Sequence, residues 1–268
     1  MPAYLILGTW TLFTFVALFW IVNASLKTNQ QVFRAPFQLP QEFQFVNYEN
    51  VFKNYNFGMF FGNSLIYVVF SVGLILLIST PASYILSRSN FRGRNLLTNT
   101  FIAGIGIPTA LIFIPVYSLL AQLRLINTMP GLIIVYASLA TPFSVFILTG
   151  FFSSIPRELE ESALIDGCTE IGVFRYVMLP LAMPGIITAA IFNTINIWNE
   201  YQLALVFVSD ETKKPLGLAL YSLQNAMIYN FNWVTLFAGV CVIMIPTIIA
   251  FVFLSERMVE GITMGAVK

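Results

Sequence analysis

The sequence predicts an all-α integral membrane protein with six transmembrane helices and one charged, amphipathic loop between the fourth and the fifth. Three observations carry this. Of 268 residues, 58% are hydrophobic and 9% charged, where globular chains carry about 25% charged residues. Six runs reach the roughly 20 mainly apolar residues needed to cross about 30 Å of hydrocarbon. The charge is also gathered rather than spread. Five of twelve carboxylates (Glu158, Glu160, Glu161, Asp166, Glu170) lie between Ile155 and Pro184 with Arg157 and Arg175, while residues 125–156 and 176–199 carry none.

The six runs fall near residues 4–23, 63–87, 98–121, 131–152, 185–207 and 234–255. The first fits an uncleaved anchor better than a signal peptide, because no basic residue precedes it. Pro108 and Pro115 interrupt the third and Pro142 the fourth, which a bundle tolerates when neighbours satisfy the freed backbone groups. Arg88, Arg92 and Arg94 cluster in the short loop after the second run, and the positive-inside rule places that loop in the cytoplasm. Over all loops the vote is close. Seven basic residues (those three with Arg157, Arg175, Arg257 and Lys268) fall inside and six (Lys27, Arg34, Lys53, Arg124, Lys213, Lys214) outside. Six spans then put the charged loop and both termini on the cytoplasmic side. No repeat or linker divides the chain, so residues 1–268 read as one domain. Pro36 and Pro40 argue against a continuous helix in the exposed segment 24–62. The segment 209–232 reads as an external loop, longer than the 2–8 residues usual between bundle helices.

Within the charged loop, 153–184, Ser154 is placed to cap a helix with Pro156 in its first turn and Glu158, Glu160 and Glu161 near its positive end. Gly167 would stop it. A second short helix would follow, with Ile171, Phe174, Val177 and Met178 forming an apolar stripe. Two rigid helices at the membrane surface suit docking of a soluble partner; an interfacial loop that merely anchors the bundle is the plainer reading.

The order Glu161-Ser162-Ala163, Asp166-Gly167, Leu179-Pro180 resembles the Glu-Ala-Ala, Asp-Gly, Leu-Pro cytoplasmic loop of permease subunits in binding-protein-dependent ABC importers, with Ser162 in place of the first Ala. Pro184, Trp198-Asn199-Glu200, the segment PQEFQFVNYENVF and the C-terminal VEGITMGAVK resemble the carbohydrate, maltose-type branch. The resemblance implies that the loop is a coupling helix that docks on an ATPase subunit through Glu160, Glu161, Ser162, Ala163, Asp166, Gly167, Leu179 and Pro180. It implies as partners a second permease, two ATPase subunits and an extracellular sugar-binding protein, in the cell membrane of a bacterium or archaeon. The chain itself holds no GxxxxGK[ST] loop, so ATP and Mg would be bound by the ATPase subunits and this chain would bind no cofactor.

For the translocation path the candidates are Asn193, Asn196 and Glu200 on the fifth span, whose spacings of three and four put them on one helix face, with Tyr84 and Tyr117, then Asn63 and Ser64. Interhelical hydrogen bonding explains the Asn pair comparably well. A net charge of +1 gives no basic field for nucleic acid, and 26 Phe suit lipid. With no His and two cysteines, no metal site or catalytic set stands out, so the chain reads as no enzyme. An ion-coupled secondary transporter would show internal repeats or mid-membrane ionisable residues, and only Glu200 comes near that. Within the importer reading, the cargo is a sugar or a different solute such as a glycerol phosphate derivative.

Overall fold

A computed structural model describes the backbone of residues 2–266 and the side chains of residues 3–253 other than Ile228. Arg257, Lys268 and the side chains of VEGITMGAVK lie outside the described residues. Among those described, every regular element is helical. In chain order they are α1 (Pro2–Ser25), α2 (Asn29–Arg34), α3 (Val46–Asn54), α4 (Phe57–Arg88), α5 (Arg94–Ile105), α6 (Thr109–Gln122), α7 (Met129–Ser154) and α8 (Glu158–Ile165). There follow α9 (Glu170–Leu181), α10 (Met183–Asn199), α11 (Gln202–Phe207), α12 (Leu216–Asn230) and α13 (Trp233–Ala266).

Four helices, α1, α4, α7 and α13, are each long and apolar enough to cross a membrane. The other two expected spans are broken. The third bends by 106° between α5 and α6, where Pro108 takes an extended ψ and begins the second limb. Pro115 and Pro142, by contrast, sit inside continuous helices. The helix of the fifth, α10, meets α9 of the expected loop at a 68° bend and stops at Asn199 instead of running on to 207. Glu200 has extended backbone, and the chain restarts as α11. The single-helix premise that aligned Asn193, Asn196 and Glu200 therefore fails at its last member.

The chain forms two compact units. The first comprises residues up to Ser64 with Lys214–Ile249. Here the stretch after α1 folds back on that helix. Buried Lys27 donates to the carbonyls of Ala35 and Pro36 at 3.1 and 3.0 Å, Trp20 Nε1 donates to Pro36 O at 3.1 Å, and Asn47 donates to the Ser25 and Lys27 carbonyls. As expected, residues 24–62 form no continuous helix; α2 begins at a Thr28–Gln31 capping box. The expected external loop 209–232 is largely helix. Ser64 Oγ accepts from Leu216 N at 2.8 Å at the start of α12. Leu216, Leu218, Ala219, Leu223 and Met227 are buried along it, and Gly239 of α13 lets Leu223 and Leu220 approach closely. The apolar residues at helical spacing along α12 are the sequence signal for this helix.

The second unit holds Leu65–Lys213 with the chain from Ala250 on. Its centre is α7. A Cβ added at Gly185 of α10 would fall 2.3 Å from the Phe151 ring, and one added at Gly104 of α5 would fall 3.2 Å from Pro142. Small residues thus set the helix spacing, as in membrane bundles generally. Asn193 Nδ2 donates to Ser144 Oγ at 2.8 Å, Phe143 packs edge-on against Phe192, and Ser83 of α4 donates to Val145 O.

Candidate functional site

The loop is built from the end of α7 outward. Ser154 closes α7, donating to Phe151 O, and does not cap α8; the α8 N-cap is Arg157, which makes no side-chain cap bond. Glu158, Glu160 and Glu161 occupy the first turn of α8, where the free N–H groups favour negative charge. The helix ends in a Schellman motif: Gly167 N donates to Leu164 O at 3.1 Å and Cys168 N to Ala163 O at 3.0 Å. Gly167 has φ +88°, a left-handed conformation open to glycine at no steric cost. Thr169 then caps α9, accepting from Gly172 N at 3.2 Å. The chain passes through a π-helical turn, Phe174–Met178, before Leu179 and Pro180.

The wider turn alters the apolar stripe. Val173 and Met178 are buried and Phe174 and Val177 partly so, whereas Ile171, expected on that face, is 79% exposed. With Ala163, Leu148, Phe152, Ala182 and Ala189 they form one core, onto which Leu76 and Tyr84 of α4 also pack. Tyr84 lies 5.6 Å from the Phe152 ring and 5.0 Å from Phe174. Ala163 faces inward; Glu161, Ser162, Asp166, Gly167 and Pro180 are exposed and Leu179 is half-buried. The exposed face also carries Ile165 at 86% and Tyr176, bordered by Glu158 and Glu170. A rigid surface with exposed apolar anchors amid carboxylates is what a soluble partner can seat on.

Glu160 behaves differently. Its carboxylate turns inward to Arg88, the last residue of α4, with Oε1 3.2 Å from Nε and side chains only 16% and 6% exposed. Arg88 also donates to Ile155 O. In the sequence Arg88 counted only as a charge that set orientation, and no local pattern marks it as a loop contact. Arg94 is similarly engaged, donating to the carbonyls of Leu86 and Ser87 that end α4.

The path candidates are not gathered into one place. Asn193 is buried, and its amide donates to Ser144 Oγ and Ala189 O; Asn196 is exposed. Glu200 accepts from Tyr136 OH at 2.7 Å and from the Leu203 and Ala204 backbone N–H groups, so it starts α11. Tyr84 sits beside Phe152 and Glu200 beside Tyr136, 16 residues and about 24 Å apart along α7. Tyr117 is exposed on one side and stacks on Phe207 at 6.3 Å. Asn63 and Ser64 bond the Lys214 carbonyl and the Leu216 N–H. Near the start of α7, Asn127 Oδ1 accepts from Ser209 N and Asp210 N, and Lys213 bonds both Asn127 O and the Asp210 carboxylate.

Residues 76–259 match the family described as binding-protein-dependent transport system inner membrane component. The chain is 32% identical over 266 residues to the diacetylchitobiose uptake system permease protein NgcG of Streptomyces coelicolor, covering 99% of this chain and 88% of that protein. It is 36% identical to the sulfoquinovosyl glycerol transport system permease protein SmoH of Agrobacterium fabrum, covering 93% of this chain and 87% of that one. In fold it matches a chain from a crystal structure of a bacterial ABC transporter involved in the import of the acidic polysaccharide alginate. There the TM-score is 0.81 at 25% identity, over 95% of this chain and 94% of that chain.

Proposed function

Since this chain belongs to the family of binding-protein-dependent transport system inner membrane components, we propose that it is the permease subunit of an ATP-driven sugar importer in a bacterial or archaeal cell membrane. It is a transport subunit and not an enzyme. It crosses the membrane six times, through α1, α4, the bent pair α5–α6, α7, α10 with α11, and α13, with the charged loop and both termini in the cytoplasm. It pairs with a second permease, takes cargo from an extracellular binding protein, and docks two ATPase subunits that hold ATP and Mg. ATP-driven closure of those subunits biases a two-state equilibrium between inward-open and outward-open forms.

The observation that carries this is the loop from α8 to α9. Its Glu161-Ser162-Ala163, Asp166-Gly167 and Leu179-Pro180 sequence is held by a Schellman turn so that Glu161, Ser162, Asp166 and Gly167 face outward beside Ile165 and Tyr176. Glu161, Asp166 and Gly167 are the docking contacts, while Glu160 and Ala163 seat the loop on the bundle. In the path, Asn196 of α10 is exposed where Asn193 is buried, and we assign it to the cargo side in preference to Asn193, Glu200, Tyr84 and Tyr117. A mild-detergent pull-down from the native membrane, read by mass spectrometry, tests the assembly. A paralogous permease and an ATPase are expected with this chain; its isolation as a lone homo-oligomer would return the secondary-transporter reading. Relatives whose names include diacetylchitobiose and sulfoquinovosyl glycerol favour a glycoside cargo, to be settled by screening the co-purified binding protein against sugars.

A further inference from the structure

The docking loop touches α4 in two chemically different ways. One is apolar: Tyr84 lies against Phe152 and Phe174, with Leu76 about two turns earlier on α4 packed on the same core. The other is ionic: Arg88 meets Glu160 on α8 and donates to Ile155 O just before that helix. Apolar contacts are non-directional, so the loop can slide over Tyr84 at little cost while surface stays buried. A buried ion pair is the opposite. Separating the charges leaves each desolvated and uncompensated. Its geometry makes the point sharper, because Arg88 Nε and Glu160 Oε1 are buried, stand at 3.2 Å without hydrogen-bond alignment, and have no other hydrogen-bond partner. For stability alone, an apolar pair of similar volume would serve as well.

We infer that the Arg88–Glu160 pair is the link through which displacement of the docking loop is passed to α4, with both acting as positioning residues. The inference rests on the loop being the ATPase docking site. Arg88 closes a 32-residue helix, so a pull on its guanidinium acts along the length of a membrane span. The ion pair resists separation between α8 and the end of α4, whereas the Tyr84 contact alone would let the loop move and leave α4 behind.

The test uses the assembled transporter pulled down with its ATPase subunits, in a Cys168→Ser, Cys241→Ser background. Single spin labels are placed at Ile171→Cys on the exposed loop face or at Leu77→Cys on the exposed face of α4. The probe is Mg-ATP. In the parent both labels change mobility on nucleotide binding. Arg88→Met alone strands a buried carboxylate and can lower the yield, so the deciding variant is Arg88→Met with Glu160→Met, which removes both charges. It is expected to assemble and to keep the Ile171 response while losing the Leu77 response. A retained Leu77 response in the double variant overturns the link. A parent whose Ile171 label ignores ATP overturns the docking reading instead, and the link with it. Lower yield with both responses intact assigns the pair a purely structural role and also overturns the proposal.

Discussion

Gly167 allows backbone strain and surface docking to be separated by ranking substitutions. A Cβ there meets no atom within 4 Å, so nothing is lost to collision, and the cost of a side chain lies in the left-handed φ of +88°. For alanine that cost is about 1–2 kcal/mol, or roughly five- to thirtyfold in the local equilibrium of the turn at about 1.4 kcal/mol per tenfold. Asn and Asp enter this region more readily. Strain alone therefore ranks Gly167→Ala as most harmful. Docking ranks them the other way, because Asp places a larger, charged group on a face that already carries Glu161 and Asp166. Both variants should insert and assemble like the parent, since Gly167 is exposed and a side chain there collides with nothing. Gly167→Asp should abolish solute uptake and ATPase stimulation by loaded binding protein in proteoliposomes, with Gly167→Ala less impaired. Normal uptake by Gly167→Asp, or greater loss in Gly167→Ala, would refute the reasoning.

Gly185→Leu should be destabilised by about 1–3 kcal/mol through overpacking against Phe151, read as a lower melting temperature in detergent, whereas Phe151→Ala in the same chain should recover part of the loss. Asn193→Leu removes the bond to Ser144, worth about 0.6 kcal/mol on average, and should leave transport intact. Asn196→Leu should change cargo affinity or rate without loss of assembly, and unchanged kinetics would return Asn196 to a packing role. Lys213, with Thr212, holds the Asp210 carboxyl down at about 2. Because the folded value is depressed, the contribution of Asp210 is complete above its ordinary carboxylate range and is lost as pH falls through about 2. Pepsin cleavage within residues 208–214, scanned from about pH 4 to 2, should be higher in Asp210→Asn from the start of the scan, with the parent converging on it as pH nears 2.

Legibility varied with the kind of signal. The apolar runs gave the helices at α1, α4, α7 and α13, because about 20 apolar residues with few charges have few other destinies. They could not give the breaks. Pro108 turns the third span sharply, yet Pro81, Pro115, Pro142 and Pro246 lie inside continuous helices. Whether a proline breaks a helix depends on who satisfies the freed carbonyl, a neighbour that no local pattern names. In the loop, Gly167 was readable as a stop because a left-handed turn wants glycine, and Schellman bonds surround it. Ser154 was a fair cap by type, but the hydroxyl was already bound within α7. Glu200 was placed by counting along a helix that ends one residue before it. Arg88 was counted and not located, since a contact 72 residues away along the chain leaves no periodicity.

The π-helical turn at Phe174–Met178 makes the distance between Gly167 and Leu179 a mechanical dimension. A π turn holds one residue more than the α-helical turn it replaces, so the segment is longer by one than a plain helix would require. Deleting any single residue within it would keep the Glu161-Ser162-Ala163, Asp166-Gly167 and Leu179-Pro180 residues of the loop and let the helix relax to ordinary pitch. Because the wide turn absorbs its extra residue, Leu179 and Pro180 would keep their facing, whereas a deletion elsewhere in α9 would rotate them by about 100°, a helical residue's share of a turn. The extra residue works as a shim: it widens one turn of the segment between Gly167 and Leu179 while leaving the facing of the residues beyond it unchanged.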